Sequence, residues 1–224
     1  MSGNLFNELG RAVSLLRSLP KSLLFNLRYF PLTTALRLPV LVSHRVVLRR
    51  LGGRIELGRV KHGIVKIGFG GFGLNAGLAD AVWHVEGGVR FAGRARIGAG
   101  AKLFVAGEFS AGDNFDASYN FTLFCDRRIE LGPDTLLSWN VTMMDNDGHA
   151  IRDGEGRLLN APQPIRLGAN NWIGCDCHLL KGAAMADHSV LAAGSLLNRA
   201  HADSHLLLGG RPAKVLKQGI GWQR

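Results

Sequence analysis

Cysteine, aromatic residues and long apolar runs are scarce in this chain, and each scarcity excludes a class of protein. Three cysteines form no even disulfide framework, so a reducing cytoplasm is expected. No run approaches the roughly 18–20 apolar residues of a membrane span, and no short apolar core precedes a clear signal-peptide cleavage site. Aromatic residues are only 8% of the chain, whereas 30 glycines favour a tightly turned fold over a bulky core.

Acidic residues are nearly absent from the N-terminal quarter of the chain. Residues 1–61 contain eleven lysines and arginines but only two glutamates, a net charge of +9 out of +10 for the whole chain. The basic character therefore belongs to this segment. It contains no recognisable motif for reading nucleic acid, so we expect no nucleic-acid partner.

An aliphatic side chain recurs every six residues between positions 167 and 197. The repeating residues are Leu167, Ile173, Leu179, Met185, Leu191 and Leu197. Four positions after each of the first five stands a small or compact residue, namely Asn171, Cys177, Ala183, Ser189 and Ser195. An α-helix has a period of about 3.6 residues and cannot produce this pattern. A coil of short strands, with one inward aliphatic per strand and a small residue at each corner, explains it and predicts a parallel β-helix.

The same spacing occurs earlier in the chain and is then interrupted. It is present at Phe91, Ile97 and Leu103, at Ala111, Ala117 and Leu123, and at Leu131, Leu137 and Met143. The polar stretch 145–164 has no inward aliphatic at the required spacing, so we predict a loop with a functional or subunit-contact role. The glycine-rich stretch 68–80 is also predicted to form a loop.

The N-terminal segment, residues 1–45, is predicted to be partly helical. Residues 4–19 fit an amphipathic helix, with Leu5, Leu9, Val13 and Leu16 on one face, and Pro20 is expected to end or redirect it. Two compatible roles remain open: a cap on the end of the solenoid, and a peripheral membrane contact through a basic amphipathic surface. The predicted organisation is then a solenoid over 46–205 and a closing segment over 206–224.

Four stretches resemble the hexapeptide-repeat acyltransferases, in that family's order. Residues 165–197 and the tail LLLGGRPAKVLK match the family in general. NFDASYNFTLFCD (114–126) and SWNVTMMDNDGHAI (138–151) are similar to its sugar and polysaccharide O-acetyltransferase branch. The resemblance implies an all-β, left-handed parallel β-helix that assembles as a homotrimer. It also implies acetyl-CoA as co-substrate, a sugar or polysaccharide acceptor and no metal.

His149 is the catalytic base that the resemblance implies. A neutral imidazole can accept the proton of a sugar hydroxyl near neutral pH and later release it. Asp145 and Asp147 precede it in the run D-N-D-G-H. They could orient the imidazole or bind the sugar, or they could simply form a turn, which Asp, Asn and Gly favour.

Further site residues are carried over from the family by position. Asn120 and Asp126 match acceptor-binding positions, although Asn120 could instead belong to a ladder of corner residues. Trp139 either contacts the sugar or covers the loop. The implied donor site has Cys175, Ala192, Ala193 and Gly194 along the pantetheine arm, and Trp172 shapes the groove. Asn198, Arg199, Arg211 and Lys214 are expected beside the CoA phosphates. The small residues of that group could equally be ordinary corner residues.

The resulting hypothesis is an acetyl-CoA-dependent sugar O-acetyltransferase of surface polysaccharide biosynthesis, cytoplasmic or peripheral at the inner face of the membrane. One alternative is N-acetylation of a nucleotide amino sugar. Another is a non-enzymatic membrane-docking or assembly solenoid. A zinc-dependent β-helical carbonic anhydrase is disfavoured, because His149 has no second histidine at close spacing to complete a three-histidine site.

Overall fold

Short strands wind into a three-sided coil that begins at Val40 and is preceded by one long helix. The computed structural model describes residues 2–70 and 79–224. Within them, the strands form three sheets, which we name A, B and C, and all neighbouring strands are parallel except the final hairpin. Sheet A contains β1 (Val40–Val42), β4 (Val65–Ile67), β7 (Ala95–Ile97), β10 (Phe115–Ala117), β13 (Leu136–Leu137), β16 (Trp172–Ile173), β19 (Val190–Leu191), β22 (Leu206–Gly210) and β23 (Ala213–Gln218).

The chain visits the other two sheets in turn on every coil. Sheet B contains β2 (Val46–Leu51), β5 (Ala81–Val85), β8 (Lys102–Val105), β11 (Thr122–Cys125), β14 (Thr142–Met144), β17 (His178–Leu180) and β20 (Leu196–Leu197). Sheet C contains β3 (Arg54–Leu57), β6 (Gly88–Phe91), β9 (Glu108–Ala111), β12 (Arg128–Leu131), β15 (Ile165–Leu167), β18 (Ala184–Met185) and β21 (Ala200–His201). We name each corner by the two sheets that it joins.

The six-residue repeat is confirmed as the inward face of this coil. Every aliphatic residue of the repeat is buried, and equivalent residues of successive coils stack in register. In sheet A one such ladder runs through Ile97, Ala117, Leu137, Ile173 and Leu191. Burying one large aliphatic side chain contributes about 1.5–3 kcal/mol, so the ladders supply most of the stabilisation of the solenoid.

Each corner combines a left-handed residue with a compact buried residue. Asn170, Asp176 and His188 have φ values between 51° and 58°, and glycines occupy the equivalent positions 182 and 194. The residue that follows each of them is the small one of the repeat, and it is buried. Asparagine, aspartate and glycine tolerate positive φ best, which explains their frequency at these corners.

Helix α1 (Ser2–Tyr29) corrects the expectation that Pro20 ends or redirects the first helix. The helix continues through Pro20. Proline leaves the backbone carbonyl of Leu16 without a donor, but Leu16 is exposed, so water can bond this carbonyl. A short helix α2 (Leu32–Ala35) follows. Within the described residues no helix is long and apolar enough to cross a membrane. The side chains of Leu5 and Leu9, and most of the predicted loop 68–80, lie outside the described residues.

The polar face of α1 covers the open edge of the first strand, β1. Ser18, Ser22 and Asn26 stand four residues apart and accept hydrogen bonds from the backbone N–H groups of His44, Val42 and Val40. The amide of Asn26 also donates to the carbonyl of Val40 at 2.6 Å. An uncovered strand edge promotes aggregation, so the helix caps this end of the solenoid.

Asn26→Ala should destabilise the fold, because it leaves the buried N–H and carbonyl of Val40 without partners. We expect the free energy of unfolding to fall by roughly 1–3 kcal/mol. Urea unfolding at fixed protein concentration measures the change. Leu24→Ala, at an exposed position of the same helix, serves as the control and should have little effect. Equal stability of Asn26→Ala and wild type would contradict the capping role.

Candidate active site

The chain between β14 and β15, residues 145–164, leaves the solenoid at the B–C corner. We call it the catalytic loop, because the sequence analysis predicts that it carries the catalytic base. Its outer part forms a small hairpin in which Arg152 pairs with Leu158. Three apolar residues of the loop, Ile151, Leu158 and Leu159, are exposed, the last of them to 62%. Such an apolar tip on a polar loop is typical of a segment that contacts a second protein chain.

Asp145 fastens the start of the catalytic loop to the preceding coil. Its carboxylate is fully buried and accepts hydrogen bonds from the backbone N–H groups of Asp126, Arg127 and Arg128 at 2.7–2.8 Å. Asn146 donates to the same carboxylate. These contacts favour the turn interpretation for Asp145 over direct contact with a sugar.

Asp147, Asn160 and Lys181 hold the two ends of the catalytic loop together. Asp147 accepts hydrogen bonds from the Lys181 ammonium and from the Asn160 side-chain amide. The bond from Lys181, followed by that from Asn160, lowers the pKa of Asp147 below its usual range. Lys181 also donates to the backbone carbonyl of Asn160. The sequence analysis missed Lys181 and Asn160, because neither belongs to a motif.

His149 lies at the exposed turn between these supports. Its backbone carbonyl accepts a hydrogen bond of 2.8 Å from Asn160, and the preceding Gly148 has φ of 74° and donates its N–H to Asn146. The described residues of one chain place no hydrogen-bond partner on the imidazole ring. The loop backbone is therefore held in place, while the ring stays accessible to a substrate.

Asn120 and Asp126 lie at opposite ends of β11 and have different surroundings. Asn120, with φ of 57°, occupies the A–B corner and donates to Asn140, which in turn donates to Asp176. This is the ladder of corner residues that the sequence left as an alternative. Asp126 lies beside Asp145 at the base of the catalytic loop, and partial desolvation together with the Asp145 charge raises its pKa.

Trp139, Cys175 and Ala193 form a column along the A–B corner. Their coils are linked directly, because Asp176 donates to the Trp139 carbonyl and Gly194 donates to the Cys175 carbonyl. Ala192, at the start of the third corner, donates its N–H to Leu208. The backbone groups named here are thus satisfied by neighbouring coils, and the small side chains leave room for a thin ligand.

Trp172 lies on the outer face of sheet A beside this corner. Its indole N–H donates to Ser138 at 3.1 Å, and its ring packs on Trp222 with the two centroids 5.9 Å apart. With Trp139 and Arg224 they line a cavity of about 350 Å³. Trp222 belongs to the C-terminal tail, which the sequence analysis did not connect with the site.

Two of the predicted phosphate-binding residues meet at the C-terminal hairpin. Arg199 donates to the backbone carbonyl of Ala213, directly beside Lys214 on β23. Lys214, Asn198 and Arg211 are exposed. The pairing of β22 with β23 thus places Lys214 close to Arg199.

The cysteine thiols are held in their neutral form. Burial is the main cause that raises the pKa of Cys125, Cys177 and the half-buried Cys175. A thiol with a raised pKa is a poor nucleophile at neutral pH. In the described part of the chain no group of three or more His, Cys, Asp or Glu side chains is arranged to hold a metal ion.

The predicted site residues therefore fall into two groups on opposite edges of sheet B. His149, Asp147 and Asp126 lie at the B–C corner, and so do Asn198 and Arg199 between β20 and β21. The column and the tryptophans lie at the A–B corner. Strand β14 separates Asn140 from Asp145, and at roughly 3.3 Å per residue these two positions are about 16 Å apart. The start of the catalytic loop and the column are thus separated by the width of sheet B within one chain.

Comparisons with known proteins support an acyltransferase. No family model matches the sequence. The chain is 32% identical over 109 residues to a Saccharomyces cerevisiae protein assigned as an acetyltransferase, covering 48% of this chain and 54% of that protein. It is 29% identical over 110 residues to the galactoside O-acetyltransferase of Escherichia coli, covering 48% and 52% respectively. The chain thus spans about half the length of these relatives.

The solved structures identify the fold. The polySia-specific acetyltransferase NeuO superimposes with a TM-score of 0.64 at 19% identity, covering 80% of this chain and 72% of that one. This likeness confirms the predicted left-handed parallel β-helix. The sequence matches and the coil together support the resemblance of the chain to the hexapeptide-repeat acyltransferases.

Lys181→Met should loosen the catalytic loop, because the loop loses two hydrogen bonds from the ammonium group. Because the pKa of Asp147 is lowered, its pairing with Lys181 stabilises the loop fully above about pH 4, the ordinary aspartate range. This stabilisation is lost as the pH falls through the lowered pKa. At pH 7.5 we expect severalfold faster chymotrypsin cleavage at Leu158 or Leu159. Lys217→Met, an exposed lysine on β23, is the matched control. Unchanged cleavage of the Lys181 variant would show that the hydrogen bonds of Lys181 do not order the loop.

Proposed function

We propose that the protein is an acetyl-CoA-dependent O-acetyltransferase that acts on a sugar hydroxyl in surface polysaccharide biosynthesis. His149 removes the hydroxyl proton, and the sugar oxygen attacks the thioester carbonyl carbon directly. The tetrahedral intermediate then collapses, the carbon–sulfur bond breaks, and the CoA thiolate takes the proton back from the imidazolium. No covalent enzyme intermediate forms, which agrees with the raised pKa of all three thiols.

The observation that carries this proposal is the accessible imidazole on a fastened loop. Asp145 anchors the start of the loop, and Lys181 with Asn160 closes it. A general base must be held within reach of its proton, and a backbone fixed on both sides of His149 meets this requirement. Asp147 contributes by positioning the loop, and Asp126 lies beside Asp145 where the loop begins.

The A–B corner supplies a matching donor site. Acetyl-CoA combines a thin pantetheine arm with several phosphates. The arm fits along the small side chains of Cys175 and Ala193, beside Trp172. Lys214 on β23 can neutralise the phosphates, together with Arg199, whose side chain reaches the same hairpin from the B–C corner.

The two halves of this site lie at opposite edges of sheet B, so we propose that they meet between chains of the homotrimer that the resemblance implies. Sheet B supports this arrangement, because its outer face carries a ladder in register. The ladder consists of His84, Phe104, Phe124, Met144 and Leu180. Phe104 and Phe124 stack with their planes only 4° apart. A neighbouring chain packed on this face would cover the ladder and carry its catalytic loop to the column.

We also propose that the N-terminal segment holds the enzyme at an anionic membrane surface. On α1, Leu16, Leu23 and Leu27 lie opposite the capping residues and are exposed, Leu16 to 66%. Arg17 and Arg28 flank them. The chain has no acidic residue between Glu8 and Glu56. An apolar stripe beside cations suits the boundary of an anionic bilayer.

His149→Ala should abolish turnover while leaving donor binding intact. Loss of a general base lowers kcat by roughly 10²–10⁴-fold. Thioester consumption with a panel of sugar acceptors gives kcat, and calorimetry gives the acetyl-CoA Kd, which should change less than twofold. His62→Ala, an exposed histidine outside the site, is the control. Full activity of His149→Ala would exclude it as the base, and absence of acetyl-CoA binding by the wild type would remove the transferase proposal itself.

Leu23→Asp/Leu27→Asp should weaken membrane binding by at least about tenfold, since burial of each leucine is worth about 1.5–3 kcal/mol. Vesicle flotation measures it, with phosphatidylserine-containing vesicles against pure phosphatidylcholine. Leu216→Asp, another exposed leucine, is the control and should bind as wild type does. Equal binding to both vesicle types, or protein self-association through the same face, would contradict a contact with anionic lipid.

A further inference from the structure

A cavity bordered by three arginines lies at the base of the catalytic loop. Arg127, Arg128 and Arg166 line it together with Pro164, and its volume is about 340 Å³. Pro164 is the last residue of the loop. Neither the sequence motifs nor the proposed mechanism uses these arginines.

The cavity has an excess of positive charge. Glu130 pairs with two of these arginines, at 2.9 Å from Arg166 and 3.6 Å from Arg128. One glutamate thus serves two guanidinium groups. The third guanidinium, that of Arg127, donates to the backbone carbonyl of Pro162 and forms no ion pair with a carboxylate among the described residues.

Elsewhere the outer face of sheet C is balanced in charge. Arg54 lies in the same row as Arg128 and is paired with both Glu56 and Glu108. Arg90 lies in the same row as Arg166. The unneutralised charge is therefore concentrated at the catalytic loop, and the distant arginines supply matched controls.

The arginines are coupled to the loop that carries His149. The backbone N–H groups of Arg127 and Arg128 donate to Asp145, where the loop begins. Arg127 holds Pro162 near its end. A ligand in the cavity would therefore have a defined position relative to the loop.

We propose that this cavity binds an anionic group of the acceptor, a carboxylate or a phosphate, so that the acceptor is an acidic glycan. The inference rests on the proposed acetyl transfer to a sugar. Guanidinium groups bind planar carboxylates and phosphates through paired hydrogen bonds, and one carboxylate shared by two arginines leaves donors free. Binding of the anionic group by these arginines would also select acidic over neutral acceptors.

Equilibrium binding without acetyl-CoA tests the proposal. The probes are an oligogalacturonide, its methyl ester as the neutral counterpart, and a phosphorylated oligosaccharide of similar length. Wild type should bind at least one acidic probe more tightly than the methyl ester, with an affinity that falls as salt is added. The double variant Arg128→Gln/Arg166→Gln should weaken acidic binding by at least about tenfold, whereas Arg54→Gln/Arg90→Gln should leave it unchanged. Equal thermal midpoints for the two doubles would show that both are folded.

The outcomes separate this inference from the proposed function. Preference for the galacturonide identifies a carboxylate, and preference for the phosphorylated probe identifies a phosphate. Equal binding of acidic and neutral probes, no binding of either acidic probe, or equal losses in both double variants would overturn the inference. The proposed acetyltransferase activity would then still stand, with a neutral sugar as the acceptor. Conversely, if the protein binds the acidic probes but consumes no thioester, the proposed anion site stands and the proposed acetyltransferase activity is excluded.

Discussion

The inward stacking of one aliphatic residue from each short strand is the constraint on which the rest of this structure depends. Each coil stabilises only its neighbours, so the ladder must continue through the inward strand positions of successive coils, while the corners also bury compact polar residues such as Asn171. This requires a tight corner after every strand, and the left-handed residues at 170, 176 and 188 provide it. A solenoid built in this way has open ends, and the row of Ser18, Ser22 and Asn26 on α1 closes one of them.

A coil with satisfied backbone groups offers little chemistry of its own, so function is confined to departures from it. The catalytic loop is the largest departure within the described chain. The buried Asp145 carboxylate attaches the loop to the solenoid, and the hydrogen bond from Lys181 to Asp147 holds its two ends together. The exposed position of His149 between rigid supports is what a general base requires. The C-terminal tail is a second departure, and it brings Trp222 to Trp172.

The three outer faces of the solenoid differ because the inward constraint leaves alternate residues free. Sheet B carries an apolar ladder, sheet C carries alternating arginine and glutamate, and sheet A is partly covered by the tail. These differences divide the proposed tasks among the faces. A partner chain suits sheet B, whereas the charged surface at the catalytic loop suits an acceptor. The axial end, with the leucines of α1, suits a membrane.

The sequence by itself determined the coil, its inward residues and the interruption at 145–164, because a six-residue period is a local pattern that needs no knowledge of distant contacts. It could not predict that α1 continues through Pro20, since that depends on which side of the helix meets water. It could not find the bond between Asp147 and Lys181 either, since 34 residues separate them in the chain. Only the tertiary structure decided that the predicted site residues lie on opposite edges of sheet B, because the three-sided winding sets which corners are neighbours.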